Sequence, residues 1–306
     1  MNLVEQVRGE VVRHSIRGAT FGRDWPLRRR VILEYLGPPD HVEARRIVDL
    51  GDGLSEIFTE QTRTLVHERD QSSVSGGGVA WDTLVNVYLN MCFAGTDVVL
   101  LRERQIPGSV KRSCRVGFRT SAIDAGVDHV ALVLPGASSL PAEATGGDSV
   151  GRLAEAVASR FDEVTVIVLT CKTNWNDNVQ TPMLWSLLYR LRASGAQPPT
   201  DVSIGEPPFT LERMVDFDFA FITVPSNRVD QFHARSMPVL RGETMSGGVF
   251  WGRPTKPGVA RSLSEFGEYQ GMMRESFPDA GLGGVGFASE VRNRTGGVDL
   301  KAFDLY

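Results

Sequence analysis

The chain has 306 residues, of which 42% are hydrophobic, so it can bury a sizeable core as one large domain or as two modest ones, and disorder is not expected. Its formal net charge of -4 argues against a protein that coats nucleic acid indiscriminately, although a DNA enzyme with basic residues along one cleft fits this charge. The sequence has no run of about 20 apolar residues, no secretion signal and only three scattered cysteines, which argues against a disulfide framework and predicts a soluble cytoplasmic protein without membrane contacts.

The first 75 residues predict a mainly helical region. Apolar residues recur at helical spacing between Leu3 and Val12 and again between Val42 and Phe58. Three glycines at 76–78 then precede the apolar run 79–89, which predicts a buried helix with one acid, Asp82. We place a domain boundary between residues 75 and 76, with a single domain over the whole chain as the alternative.

The chain then changes to short β-rich runs. A helix is predicted between the second and third of these runs, at 150–161, and another at 182–191. The predicted strands are 97–101, 129–134, 164–170 and 217–224. Strands that alternate with helices favour a mixed α/β sheet over an all-β barrel.

Two of these strands carry the residue types that phosphodiester hydrolysis needs. The reaction requires charge neutralisation on the phosphate and an activated water, and a divalent metal held by carboxylates provides both. Asp128 stands at the start of one strand, and Thr170-Cys171-Lys172 ends another. Side-chain alternation predicts that Thr170 and Lys172 share one face while Cys171 points into the core.

The run 166–178, together with Asp128 before its strand and Asp82 on its helix, resembles the PD-(D/E)XK nuclease superfamily, in particular type II restriction endonucleases of bacteria. The resemblance covers about residues 76–191. It implies a restriction-endonuclease-like fold, in which a mixed central sheet is flanked by helices, with residues 76–306 as the nuclease core and its C-terminal DNA-contacting loops.

The resemblance also implies roles for individual residues. Mg²⁺, or Mn²⁺ in its place, would be bound by Asp128, by the main-chain carbonyl of Cys171 and by Asp82. Lys172 would act on the attacking water, so the candidate catalytic residues are Asp128, Lys172, Thr170 and Asp82. Thr170 departs from the family pattern, because Glu or Asp normally occupies its position.

Each of these residues has a structural alternative. Lys172 can be a surface charge at a strand end, Asp128 can simply begin a strand, and Asp82 can cap or pair within its own helix. Cys171 reads as a buried apolar side chain rather than a nucleophile. The five histidines have no metal-ligand spacing in the sequence.

Residues of three segments have the chemistry of DNA contacts. Basic residues are concentrated between 102 and 119, amides follow Lys172, and a later loop combines aromatic rings with cations. A solvated basic face, turn hydrogen bonds or a partner-binding loop explain the same composition. The candidates are Lys111, Arg112, Arg115, Asn174, Asn176, Gln180, Arg228, Trp251, Arg253 and Lys256.

The first hypothesis is a Mg²⁺-dependent endonuclease for double-stranded DNA that acts as a restriction enzyme in phage defence. It would be a homodimer if it cuts both strands of a symmetric site, and a companion DNA methyltransferase would be expected. The neutral Thr170 motivates a second hypothesis, a catalytically inactive nuclease-like subunit that binds DNA or assembles a defence complex. A third, an α/β enzyme for a small molecule, predicts a closed pocket without a basic groove.

Overall fold

Helices precede the first strand, as the apolar periodicity predicts. The computed structural model describes residues 2–38, 42–65, 71–123, 127–142, 148–172, 188, 201–223, 249–250, 263–266, 300, 303 and 305. Within these residues the helices are α1 (Leu3–Ile16), α2 (Ala19–Leu36), α3 (Ala44–Leu65), α4 (Gln71–Cys92), α5 (Gly108–Ser113), α6 (Ser149–Ser159) and α7 (Leu263–Phe266). The side chain of Asn2 caps α1 by accepting a hydrogen bond from the main-chain N–H of Glu5 at 2.9 Å. None of the described helices has the length and apolar character needed to cross a bilayer.

Helix α4 begins earlier than the sequence predicts. It starts at Gln71, so the glycines at 76–78 lie inside it and do not precede it. Each glycine weakens a helix by about 1 kcal/mol relative to alanine, but tertiary packing overrides such a preference. The indole of Trp81 is fully buried, and its ring centre lies 5.5 Å from that of Phe58 on α3. The suggested boundary at 75/76 therefore falls within a helix that packs on its predecessor.

The strands form two sheets in the described residues. The strands of the main sheet are β1 (Val98–Arg102), β4 (His129–Val133), β5 (Thr165–Lys172), β7 (Asp216–Thr223) and β8 (Val249–Phe250). They lie in the order β1-β4-β5-β7-β8, with antiparallel pairing of β1 to β4 and of β4 to β5, and parallel pairing of β5 to β7 and of β7 to β8. A smaller antiparallel sheet contains β2 (Val116–Phe118), β3 (Ser121–Ile123) and β6 (Val202–Ile204). The four predicted strands and the predicted mixed α/β sheet are confirmed.

The main sheet is covered by apolar side chains on both faces. Along β1, Val98 and Leu100 join a core that includes side chains of α2, α3 and α4, whereas Val99 and Leu101 join a second core with side chains of α5 and α6. Helix α1 contributes to both cores. Burial on both faces explains why the strands read as continuous apolar runs in the sequence.

Two buried amides fix α4 against β1. The side chain of Asn90 donates to the main-chain oxygen of Leu100 at 2.9 Å and accepts from the N–H of Leu100 at 3.1 Å. Asn86, one turn earlier, donates to the same oxygen at 3.4 Å. We call Asn86, Asn90 and Leu100 the α4–β1 seam. Residues four apart share a helix face, so the seam continues to Asp82.

A buried arginine fixes α1 to the start of β1. Arg8 is fully buried, and its guanidinium donates to the main-chain oxygens of Val98 at 2.7 Å and Thr96 at 3.1 Å. Its charge is balanced by Glu5 at 3.0 Å. Both the charge and the N–H groups of Arg8 are thus partnered, which a buried cation requires.

Candidate functional site

Strand pairing brings Asp128 and Lys172 together. His129 of β4 lies opposite Leu169 of β5, so the residue before β4 lies beside the end of β5. Oδ2 of Asp128 accepts hydrogen bonds from the main-chain N–H of Cys171 at 2.9 Å and from Nζ of Lys172 at 3.0 Å. The two charged side chains are partly exposed, at 29% and 31%. The carboxylate of Asp128 and the ammonium of Lys172 therefore meet where β4 begins and β5 ends, with access to solvent.

Asp82 reaches the same place from α4. Its Oδ2 accepts a hydrogen bond from Nη2 of Arg102, at the end of β1, at 2.5 Å, and its Oδ1 lies 3.3 Å from Nδ1 of His129. Burial raises the pKa of Asp82 to about 6, and the charges of Arg102 and Lys172 oppose this rise. Asp82 thus pairs with residues of the sheet.

His129 and Cys171 form the buried floor of the site. His129 is fully buried, and its Nδ1 lies 3.8 Å from Sγ of Cys171. Burial lowers the pKa of His129 to about 3 and raises the pKa of Cys171 well above its ordinary value. At neutral pH the pair is therefore a neutral imidazole beside a protonated thiol.

The side chains of Asp82, Asp128, Cys171 and Lys172 line an open cleft of about 570 Å³. Its wall carries both acids and bases, and Arg104 adds a further cation to that of Arg102. The lining includes Asp82, Arg102, Arg104, Asp128, Cys171 and Lys172. A wall with carboxylates and cations can hold a divalent metal and a phosphate side by side.

Thr170 is separate from this cleft. It is 1% exposed and is not among the residues that line the cleft, and its hydroxyl has no hydrogen-bond partner among the described residues. Alternation along β5 places Thr170 on the face of Val166 and Val168, which belong to the second core. The residue that the sequence resemblance places at the acidic position of PD-(D/E)XK nucleases therefore lies within the protein interior.

The predicted DNA-contacting residues fall in two groups. Arg112 lies 4.3 Å from the ring centre of Phe209, and Arg115 pairs with Glu206 at 2.7 Å, while Lys111 on α5 is exposed. None of these three lines the cleft. The other candidates lie outside the described residues: Asn174, Asn176, Gln180, Arg228, Trp251, Arg253 and Lys256.

Sequence reasoning missed His129 and the role of Arg102. The absence of a metal-ligand spacing among the histidines concerns the linear sequence, whereas in the structure donors from α4, β4 and β5, among them His129, converge in space without such a spacing. A polar side chain at the start of an otherwise apolar strand was the available signal. Arg102 was assigned to a basic stretch, but it is the partner of Asp82.

Comparison with known proteins found neither a matching family model nor a matching curated protein. The function is therefore argued from the geometry of the cleft. The ion pairs Asp82–Arg102 and Asp128–Lys172, with the buried imidazole and thiol next to them, are the features to be explained.

Proposed function

We propose that the chain is a metal-dependent endonuclease that cleaves phosphodiester bonds of double-stranded DNA, with the restriction-endonuclease-like fold that its sequence resembles. The observation that carries the proposal is the 3.0 Å contact between Asp128 and Lys172 across two neighbouring strands, at an open cleft. The mixed sheet flanked by helices and the acid that α4 delivers to the cleft support the same function. In this proposal the chain is a type II restriction enzyme in phage defence, acts as a homodimer and has a companion DNA methyltransferase.

The donor atoms at Asp128 fit a magnesium ion. Both side-chain hydrogen bonds of Asp128 within the described residues go to Oδ2, which leaves Oδ1 open as a ligand. The carboxylate of Asp128 and the main-chain oxygen of Cys171 are hard oxygen donors, and Mg²⁺ in such enzymes needs only one or two carboxylates beside substrate phosphates and water. Bound Mg²⁺, or Mn²⁺, would neutralise charge on the phosphate and lower the pKa of a water.

The protein's own cations complete the proposed mechanism. Asp128 holds the ammonium of Lys172 at the cleft, where it can donate a hydrogen bond to a phosphate oxygen or orient the attacking water. Arg102 and Arg104 place two further cations on the cleft wall. Charge-assisted hydrogen bonds from such groups bind phosphate more strongly than neutral donors do.

Two observations favour the second candidate, an inactive nuclease-like subunit that binds DNA or assembles a defence complex. Thr170 is neutral and buried where the family has an acid. Asp82 is already paired with Arg102 at 2.5 Å. Calorimetric titration with Mg²⁺ and Mn²⁺, with and without DNA, separates the candidates, because an inactive subunit would bind DNA without metal.

The test of the nuclease proposal is cleavage of diverse unmodified DNA in the presence of Mg²⁺. Wild type should cut, and Lys172→Ala should lose at least about 100-fold in rate, within the range that a positioned proton-transfer group contributes. The matched control is Arg45→Ala on α3, whose side chain is 73% exposed. The proposal fails if wild type does not cut with either metal, or if Lys172→Ala cuts as fast as wild type.

A further inference from the structure

Three side chains of different elements converge at the floor of the cleft. Asp82 comes from α4, His129 from β4 and Cys171 from β5. Their donor atoms, a carboxylate oxygen, Nδ1 and Sγ, all lie within 4.8 Å of one another. The oxygen is 3.3 Å and the sulfur 3.8 Å from Nδ1 of His129. From this geometry we propose that Asp82, His129 and Cys171 bind a thiophilic divalent cation of the zinc class, separately from any magnesium at Asp128.

The distances fit a tetrahedral metal. Zinc bonds of about 2.0–2.2 Å to nitrogen or oxygen and about 2.3 Å to sulfur place neighbouring donor atoms roughly 3.3–3.7 Å apart at tetrahedral angles. The spacings of 3.3 Å and 3.8 Å at Nδ1 lie close to this range. The third spacing, between the Asp82 oxygen and Sγ of Cys171, is within 4.8 Å, and side-chain rotations that shorten it by up to about 1 Å would complete the coordination shell.

The donor types select the metal. Thiolate and imidazole favour zinc-class ions, whereas magnesium takes oxygen donors almost alone. His129 is fully buried, and its other ring nitrogen, Nε2, has no hydrogen-bond partner among the described residues. The contacts of Nδ1 with Asp82 and Cys171 are therefore the polar contacts that account for the position of this imidazole.

The charges of the site also balance around a dication. On binding, the S–H bond of Cys171 breaks, the proton passes to solvent, and the thiolate and the Asp82 carboxylate together neutralise the ion. Arg102 contacts Oδ2 of Asp82, so Oδ1 remains available as the ligand. Three protein ligands leave a fourth position for water, and two of them, Asp82 and Cys171, line the cleft.

Cobalt is the direct probe of this site, because tetrahedral cobalt bound to thiolate absorbs in both the visible and the near ultraviolet. The full chain is stripped with a chelator and titrated with Co²⁺ without DNA. We expect one cobalt per chain, a sulfur-to-cobalt charge-transfer band, loss of that band when Zn²⁺ is added, and no loss in excess Mg²⁺. Absence of the charge-transfer band in wild type overturns the proposal, whether or not the protein cuts DNA.

Variants assign the ligands. Cys171→Ser should lose the charge-transfer band, and Cys114→Ser, a change at another buried cysteine, should keep it. Where Cys171→Ser does not fold, Asp82→Asn serves in its place and should weaken cobalt binding at least tenfold. A charge-transfer band that persists in Cys171→Ser, or unchanged affinity in Asp82→Asn, also overturns the proposal.

Discussion

The ammonium of Lys172 and the carboxylate of Asp128 meet at 3.0 Å although they are 44 positions apart in the sequence. The antiparallel pairing of β4 with β5 produces this contact, since the start of one strand lies beside the end of the other. The main-chain N–H of Cys171 donates to the same oxygen at 2.9 Å. Asp128 is thus held by β5, the strand that carries Lys172. Separate substitutions of Asp128 and Lys172 are therefore needed to assign their roles.

Under the proposed nuclease function, Asp128→Asn should slow DNA cleavage strongly without unfolding the protein. The amide oxygen of asparagine can still accept the N–H of Cys171, but it has no charge for Lys172 or a metal. We expect DNA cleavage in Mg²⁺ to fall by at least about 100-fold, measured by gel assay with the fold checked by circular dichroism. Asp49→Asn on α3, a half-exposed acid, is the control. Cleavage by Asp128→Asn at the wild-type rate would remove Asp128 from the mechanism.

The pair Asp82 and Arg102 should show a strong energetic coupling. Their side chains are only 17% and 25% exposed and lie 2.5 Å apart, so removal of either leaves the other poorly solvated. A double-mutant cycle with Asp82→Asn and Arg102→Gln should give a coupling of about 1–3 kcal/mol in urea unfolding. The exposed pair Arg45 and Asp49, at 73% and 44%, should give only about 0.3–0.5 kcal/mol. Equal couplings in the two cycles would contradict the structure.

His129 should make the fold sensitive to acid. Burial lowers its pKa to about 3 from 6.5, so between these values the unfolded chain binds the extra proton and stability falls as pH falls. Asp82, whose pKa burial raises to about 6, acts in the opposite direction, because the folded state binds its proton more readily. Comparison of His129→Leu with wild type isolates the histidine contribution.

In metal-free protein, the free energy of unfolding should fall between pH 7 and pH 5 by roughly 2 kcal/mol more in wild type than in His129→Leu. Urea denaturation at the two pH values measures the difference. An equal loss in both proteins would show that the imidazole is not buried in its neutral form.

Thr170→Val should stabilise the protein. The hydroxyl of Thr170 is buried without a partner among the described residues, and valine replaces it with a methyl group of similar shape. We expect the free energy of unfolding to rise by about 1 kcal/mol. Thr165→Val on the same strand is the control, because the hydroxyl of Thr165 is not both buried and unpaired, so no such gain is expected there. A loss of stability in Thr170→Val would mean that the hydroxyl has a partner.

The main sheet could be predicted because its signals are local. Continuous apolar runs mark β4 and β5, and alternating aromatic residues mark β7. The small sheet could not be predicted, since each residue of β3 is exposed and strand pairs only three residues long leave no periodic pattern. Its pairing of β2 with β6 joins Val116 to Ile204 across a long stretch of chain, which no window of sequence reveals.

The site was predictable to a similar extent. Asp128 and Lys172 could be placed together because both stand at strand ends, and neighbouring strand ends share an edge of a sheet. The contacts of Asp82 with Arg102 and His129 depend on where α4 lies across β1 and β4, which is a tertiary property. A helical pattern fixes which face is buried and says nothing of the register between helix and strand.

That register is what the α4–β1 seam determines. Asn86 and Asn90 both bond the main chain of one β1 residue, Leu100, and the two asparagines lie about one turn apart on α4. A shift of α4 along the strand by a fraction of a turn would move both amides away from Leu100 at once, so the helix has no allowed setting close to the present one. Asp82 therefore cannot be moved slightly within the cleft by sliding α4 along β1. Such a change in the cleft would require new residues in place of Asn86 and Asn90.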